Sequence, residues 1–384
     1  MSLSAGARIE LQIASLATGG DGVGRFEGRV IFVPRTAPGD RVCAEVIQVR
    51  RRYARAQLID VLASGPSRRH PPCPYFGRCG GCSWLHLDED AQCRARERIL
   101  CDALTRVGGV RELPSVAHVR SPVSLGYRSR ARVAYGQGRV GQRAARSHDV
   151  VDIEHCLVLD HQTQHELDLL RENPPKGQGE TNIRGYDKQV EVAGRRLRVG
   201  PEDFFQANSP LWESWFASVV ASCGTGALAV ELFAGVGFYT FGLEERFSQV
   251  IAVERGSAAR NLSRNTNARV FQANAESWLP LQVGRLTPDL ILLNPPRTGC
   301  DGRVIDAASA LEPARLVYVS CDPMTLARDV SRLGTHFQLR RLLLLDALPQ
   351  THHVEAVVVL EHIDICDSTS VTCSSSTGVS SAGK

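Results

Sequence analysis

Cys321 stands where an apolar run, Leu316 to Val319, gives way through Ser320-Cys321-Asp322-Pro323 to a stretch with helical spacing. That order puts the thiol at the mouth of a strand, where ligands dock in an α/β sheet. An ionised thiol there is a good nucleophile, whereas a neutral one is simply a small buried hydrophobe, so neighbouring chemistry has to decide. LILLNPPRTGC, residues 290–300, reads as another strand, ending in Asn294 with Pro295 and Pro296 stiffening the turn behind it. ALAVELFAGVGFYTFGL, residues 227–243, is a strand, a glycine turn and a helix start. Gly235 and Gly237 there let a ligand approach the backbone closely. The next strand, QVIAVE, ends in Glu254, where a carboxylate can hold both hydroxyls of a ribose. Thr240 occupies the last place of G-x-G-x-x-G, so an adenosine cofactor without phosphates fits better than a dinucleotide. Asn274, in RVFQANAES, follows a further strand and can meet an adenine or sugar edge.

A second constellation is made of thiols. Cys73, Cys79 and Cys82 stand in CPYFGRCGGC, a C-x5-C-x2-C arrangement, and Cys156 follows in DIEHCLVLD. Glycines beside them let the backbone fold tightly enough for several sulfurs to converge. Four thiolates suit tetrahedral zinc or an iron–sulfur cluster. Zinc sites usually pair two C-x2-4-C knuckles, and one short pair here leans toward the cluster, with unrelated structural cysteines as the remaining reading.

These residues need elements to hold them. The chain has 384 residues, a net charge of +4 and 12 cysteines. Its length suggests two or three domains, and its slight basicity does not by itself announce a nucleic-acid binder. Neither a leader-like N-terminus nor a run of 18 apolar residues is seen, so no membrane association and a cytoplasmic location are expected, where thiols stay reduced and metal or catalytic roles gain weight. Residues 8–63 alternate apolar and polar positions between glycine turns, as a small β-barrel does. Its Arg50, Arg51, Arg52 and Arg55 interleave with Tyr53, either a solvated face or a base-stacking one. GPSRRHPPCP, residues 65–74, reads as a linker; Asp88 to Val107 is helical; residues 121–157 return to short strands, where Arg128, Arg130 and Arg132 would share one face. RENPPKGQGETN, residues 171–182, reads as a loop, and Gly194 to Leu360 alternates strands and helices as a doubly wound α/β domain does.

Taken together, C-x5-C-x2-C with Cys156, FFQAN at 204–208, ELFAGVGFYT, AVE, NPPRTG, VSCDPMTLARD and LPQTHHVEAVVVLE resemble the S-adenosylmethionine-dependent RNA (uracil-5-)-methyltransferases. The subgroup is the one with a TRAM barrel and a [4Fe–4S] cluster, and the likeness runs from about residue 8 to Leu360. It implies an α/β protein with an N-terminal TRAM/OB-like β-barrel (1–65), a central α+β iron–sulfur and RNA-binding domain (66–193) and a C-terminal Rossmann-like methyltransferase domain (194–365). A Ser/Thr-rich tail (366–384) is expected to be disordered. By the same resemblance Cys321 is the nucleophile and Glu355 the base, while Gln206, Phe233, Glu254 and Asn274 contact or surround S-adenosylmethionine. Cys73, Cys79, Cys82 and Cys156 match the cluster ligands. The implied substrate is RNA, ribosomal in preference to transfer RNA, and the implied state a monomer.

Two positions depart from the family pattern. Asn294 stands where the family has aspartate, between cofactor and target base, and Phe238 stands where some members carry an asparagine touching the cofactor. Asn294-Pro295-Pro296 also suggests an amino-group methyltransferase, but Arg297 replaces the aromatic residue such a turn needs, and that reading leaves Cys321 without a role. A third reading is an RNA-binding protein with a decayed methyltransferase domain.

Overall fold

The computed structural model describes residues 3–363, so the expected disordered tail lies outside the described residues. β1 (Arg8–Leu16), β2 (Gly22–Phe26), β3 (Arg29–Val33), β4 (Arg41–Val49) and β5 (Tyr53–Ala63) close into a barrel of order β1-β2-β3-β5-β4. The alternation that marked these strands is the cause: Ile9, Leu11 and Ile13 point inward with Ile31, Val33 and Val46, while Arg8, Glu10 and Gln12 face water. Pairing β4 with β1 removes the sheet edges. Buried Asp40 then fixes the linker to the barrel, accepting from Gly65 N at 2.8 Å and Arg68 Nη2 at 2.6 Å.

Helix α1 (Glu89–Arg106) starts where Asp88 accepts from Ala91 N at 2.6 Å, with Glu89 and Asp90 in its first turn complementing the helix dipole. β6 (Val116–Val119) follows. β7 (Arg130–Gly136), β8 (Arg139–Arg143) and β9 (Val150–Asp152) lead to α2 (His161–Glu172), and β10 (Gly179–Arg184) completes a sheet of order β10-β7-β8-β9. The stretch expected as a loop over 171–182 is thus loop only at its centre; its ends are the last turn of α2 and the start of β10. β11 (Gln189–Val192) and β12 (Arg195–Arg198) form a hairpin.

The remainder is α3 (Trp212–Cys223), β13 (Gly226–Leu232), α4 (Thr240–Glu244), β14 (Phe247–Glu254), α5 (Ala259–Asn265), β15 (Arg269–Gln272), α6 (Ala275–Trp278), β16 (Leu290–Leu293), α7 (Gly302–Ala310), β17 (Arg315–Ser320), α8 (Pro323–Leu333), β18 (Phe337–Leu345) and β19 (Glu355–His362). They build an eight-stranded sheet of order β15-β14-β13-β16-β17-β19-β18-β6, in which β13 to β17 run parallel and β19 is antiparallel to β17 and β18. β16 is buried at every residue because both faces are covered: Ile291 and Leu293 enter the layer containing α1, α7 and α8, and Leu290 and Leu292 enter the layer containing α3. Two elements cross the division expected at residue 193. α1 packs against α8, and β6 adds to the sheet by pairing with β18.

Candidate active site

The crevice lies where the parallel strands end. β13 neighbours β14 on one side and β16 on the other, so successive connections leave in opposite directions and open a cleft between Phe233 and Asn294. Phe233 turns the chain at φ +61°, an uncommon conformation for a bulky residue and one that clusters at ligand sites. Gly235 follows at φ +58° with open space where a Cβ would stand. Its N–H donates to Glu254 Oε2 at 3.0 Å, and Gly256 N–H donates to Oε1 at 2.6 Å, so the carboxylate at the tip of β14 is oriented by two amides.

Cys321 follows β17 directly. Asp322 caps α8, accepting from Met324 N at 2.9 Å and Thr325 N at 3.0 Å, and Pro323 begins the helix, so strand, thiol and helix start are consecutive by local chemistry. Glu355 begins β19. Ser320 pairs with Ala356 in the antiparallel register, and Cys321 and Glu355 are the residues that flank this last pair. Both line one cavity with Gln206, Phe233, Gly235, Phe238, Glu254 and Asn294. The loop carrying Asn294 is held on α8: Thr325 Oγ1 donates to Arg297 O at 3.1 Å, and buried Asp329 accepts from Cys300 N and from the Tyr318 hydroxyl, each at 2.8 Å.

Two expected residues fall outside this lining. Gly237, at φ +94°, turns its α-carbon toward Thr266 and Leu262, where a Cβ would lie 2.9 and 3.0 Å from their side chains. Its glycine serves packing against α5. Asn274 opens α6, its carbonyl accepting from Trp278 N at 2.9 Å, while its neighbours Ala273 and Ala275 reach the cavity. Phe238 belongs to an aromatic wall, edge-on to Phe205 at 5.4 Å, and Phe205 in turn meets Trp212 at 4.9 Å. That wall seats Gln206, whose carbonyl accepts from Trp212 Nε1 at 2.9 Å.

Burial pushes the Glu355 carboxyl up to about 8, with Arg297 opposing. It pushes the Cys321 thiol up to about 11, reinforced by Glu355 and again opposed by Arg297. Ionising either group therefore hinders the other, and Arg297 is the cation that eases both. Arg297, Glu276 and the exposed Phe204 also line the cavity and were not singled out as site residues by sequence reasoning. For Arg297 a signal existed: a cation directly behind a strand tip and its two prolines.

Four of the other cysteines share a second cavity. Cys73, Cys79, Cys82 and Cys156 line it with Tyr75, Phe76, Leu85 and Arg128, all four thiols half-buried. Gly81 N–H donates to Cys79 Sγ at 3.3 Å. Burial, reinforced by the neighbouring thiolates, pushes Cys79 up to about 11 and Cys82 up to about 12. Among the described residues no group of three or more His, Cys, Asp or Glu side chains is arranged to hold a metal ion, and no helix is long and apolar enough to cross a membrane.

Residues 184–363 match the tRNA (uracil-5-)-methyltransferase family and residues 4–59 match the TRAM domain. An RNA methyltransferase of Bdellovibrio bacteriovorus, itself uncharacterized, is 30% identical over 377 residues, covering 92% of this chain and 95% of that protein. The 23S rRNA (uracil(1939)-C(5))-methyltransferase RlmD of Halomonas elongata is also 30% identical, over 93% of this chain and 90% of its own. The crystal structure of Pyrococcus abyssi tRNA (uracil-54, C5)-methyltransferase in complex with S-adenosyl-L-homocysteine superposes with a TM-score of 0.73 at 23% identity, covering 92% of this chain and 100% of that one. That likeness is one of fold.

Proposed function

The chain belongs to the RNA (uracil-5-)-methyltransferase family, and from that premise we propose that it methylates carbon 5 of one uridine in 23S ribosomal RNA through a covalent adduct on Cys321. The observation that carries the reading is that Cys321 and Glu355, the residues flanking the last β17–β19 pair Ser320–Ala356, line the same cavity as Glu254 and Gly235. Glu254 takes the ribose hydroxyls of the cofactor, and Gly235 admits it against the backbone. S-adenosylmethionine supplies an electrophilic methyl group when bound. Carbon 5 of uracil is a weak nucleophile, so the Cys321 thiolate adds to carbon 6 and turns the ring into an enolate whose carbon 5 would take that methyl, the methyl–sulfur bond breaking with its electron pair left on sulfur as a neutral thioether. Glu355 then takes the carbon 5 proton, the electron pair re-forms the ring double bond, and Cys321 leaves as thiolate. A carboxyl pushed up to about 8 is near the acidity a base needs at neutral pH. Arg297 favours the charged form of whichever group carries the negative charge. The target base has to leave its stack to reach the thiol.

In vitro transfer of labelled methyl tests the substrate. Methylation of a 23S rRNA fragment at a single uridine supports the reading; methylation of transfer RNA alone assigns the enzyme to the other substrate class of its family.

Asn294 is the departure with a readable consequence, because it lines the cavity between Glu254 and Cys321 and lacks the charge of the family's aspartate. Asn294→Asp is expected to keep the fold and to change turnover or cofactor affinity by about tenfold in either direction, the size of one altered hydrogen bond. Steady-state constants identical to those of the parent would mean that the residue does not contact reactants.

We propose that Cys73, Cys79, Cys82 and Cys156 would draw together around a [4Fe–4S] cluster: four half-buried thiols border one space, an amide is directed at Cys79 Sγ, and neighbouring thiolates need a cationic centre to ionise together. Anaerobically purified protein should be brown and carry about four irons and four sulfides per chain. One zinc per chain without labile sulfide contradicts this assignment.

A further inference from the structure

The connection between β18 and β19 delivers Glu355 to the site, and five residues ahead of Glu355 it contains Gln350, fully buried at φ +67°. A non-glycine residue keeps that left-handed conformation only where its surroundings over-determine it. Both ends of the Gln350 amide do so. Its Oε1 accepts from Arg69 Nη2 at 2.7 Å and Gln92 Nε2 at 2.8 Å, and its Nε2 donates to Ser124 O at 3.3 Å and Glu89 Oε1 at 3.4 Å. The backbone joins in: Gln350 N–H donates to Gln92 Oε1 at 2.8 Å, and Gln350 O accepts from Trp84 N–H at 3.0 Å. Gln92 is itself fully buried, so the two glutamines form a reciprocal pair shielded from water, where each lost bond leaves an expensive orphan.

The partners come from distant parts of the chain: Arg69 from the linker, Trp84 from two residues beyond Cys82, Gln92 and Glu89 from α1. None belongs to the parallel strands that build the cofactor crevice. We infer that Gln350 is a positioning residue for proton removal, locking the β18–β19 connection so that Glu355 emerges at a fixed place beside Cys321. Through it the linker and the cysteine segment set the geometry of the second half of the reaction. The inference rests on Glu355 as the base.

The consequence is a selective one. Thiol addition and methyl transfer depend on Cys321 at the end of β17, whereas resolution of the adduct depends on Glu355. Disturbing Gln350 should therefore slow breakdown of the methylated covalent complex and leave its formation nearly intact. Single-turnover reactions of the full chain with labelled S-adenosylmethionine and RNA, resolved on denaturing gels, measure both rates. Gln350→Ala and Gln350→Gly are each expected to slow breakdown about tenfold, since small misplacements of a reacting group have effects of that order. Formation and cofactor affinity should stay within about twofold of the parent, a change too small to count as lost transition-state contact. Glycine relieves the left-handed strain while removing the same amide, so normal breakdown in Gln350→Gly would assign the effect to the backbone and overturn the inference. Normal breakdown in Gln350→Ala, or formation, breakdown and cofactor affinity all falling together, overturns it as well. Gln92→Ala should reproduce the phenotype, and the Gln350→Ala/Gln92→Ala pair should be no slower than one change alone, because the two share one set of bonds. If Gln350→Ala does not fold, Gln92→Ala carries the same criterion. Glu355→Gln run alongside separates the two failures: a trapped complex there with normal breakdown in Gln350→Ala removes only this inference, while no trapped complex there removes the base assignment itself.

Discussion

Cys321→Ala is expected to abolish both methylation and covalent complex formation while leaving RNA and cofactor binding in place. The thiol contributes no hydrogen bond that the strand or helix needs: Ser320 ends β17, and Asp322 caps α8 through its own carboxylate. Alanine fits the same backbone, so the fold should persist. What disappears is the only route to a nucleophilic carbon 5, and loss of a covalent nucleophile typically removes several orders of magnitude in rate. Filter binding of RNA, calorimetric titration of S-adenosylhomocysteine and methyl incorporation measure the three properties separately. Methylated product from Cys321→Ala would falsify the nucleophile assignment.

Glu355→Gln divides the reaction differently. Thiol addition and methyl transfer remain open to it, but nothing removes the carbon 5 proton efficiently, so the methylated enzyme–RNA complex should accumulate to near stoichiometry with the enzyme. General-base removal contributes about 10²–10⁴-fold, which sets the expected fall in product release. The parent enzyme adds a pH signature. Burial raises the Glu355 carboxyl to about 8, and the base acts only when ionised, so breakdown of the complex should accelerate as pH rises from 6 and level off above about 8. That dependence should vanish in Glu355→Gln. Fast release of product by this variant without a trapped complex places the base elsewhere.

How much of this was open to reading from sequence follows from how each feature is encoded. Parallel strands buried on both faces read as short apolar runs, so LILL and VYV, with Asn294 and Cys321 at their ends, declared themselves locally. The barrel did likewise through its period of two. The approach of Glu355 to Cys321 was not local at all; it depends on β19 returning antiparallel beside β17, which no window of sequence contains. The same holds for β6, four residues of which none is fully buried and which join the sheet edge by pairing with β18 more than two hundred positions away. Helix α2 escaped because only Thr163, Gln164 and Leu167 of its residues are buried, too few to mark a helical stripe, and the Pro-Pro and Gly signals after it drew its last two residues, Arg171 and Glu172, into the expected loop. Gly235 and Gly237 are indistinguishable by motif. Only the position of α5 shows that one borders the cavity and the other packs behind it.

The central claim is a bond between Cys321 and carbon 6 of a uridine, and RNA carrying 5-fluorouridine tests it most directly. Fluorine at carbon 5 cannot be removed as a proton, so elimination is blocked after methyl transfer and the adduct persists. Incubation with S-adenosylmethionine, digestion with nuclease and protease, and mass spectrometry of the peptides should show a methylated fluorouridine nucleotide attached to the peptide bearing VSCDPM, with fragmentation locating it on Cys321. An adduct on another cysteine, or uridine RNA methylated normally while fluorouridine RNA gives no adduct, contradicts the account.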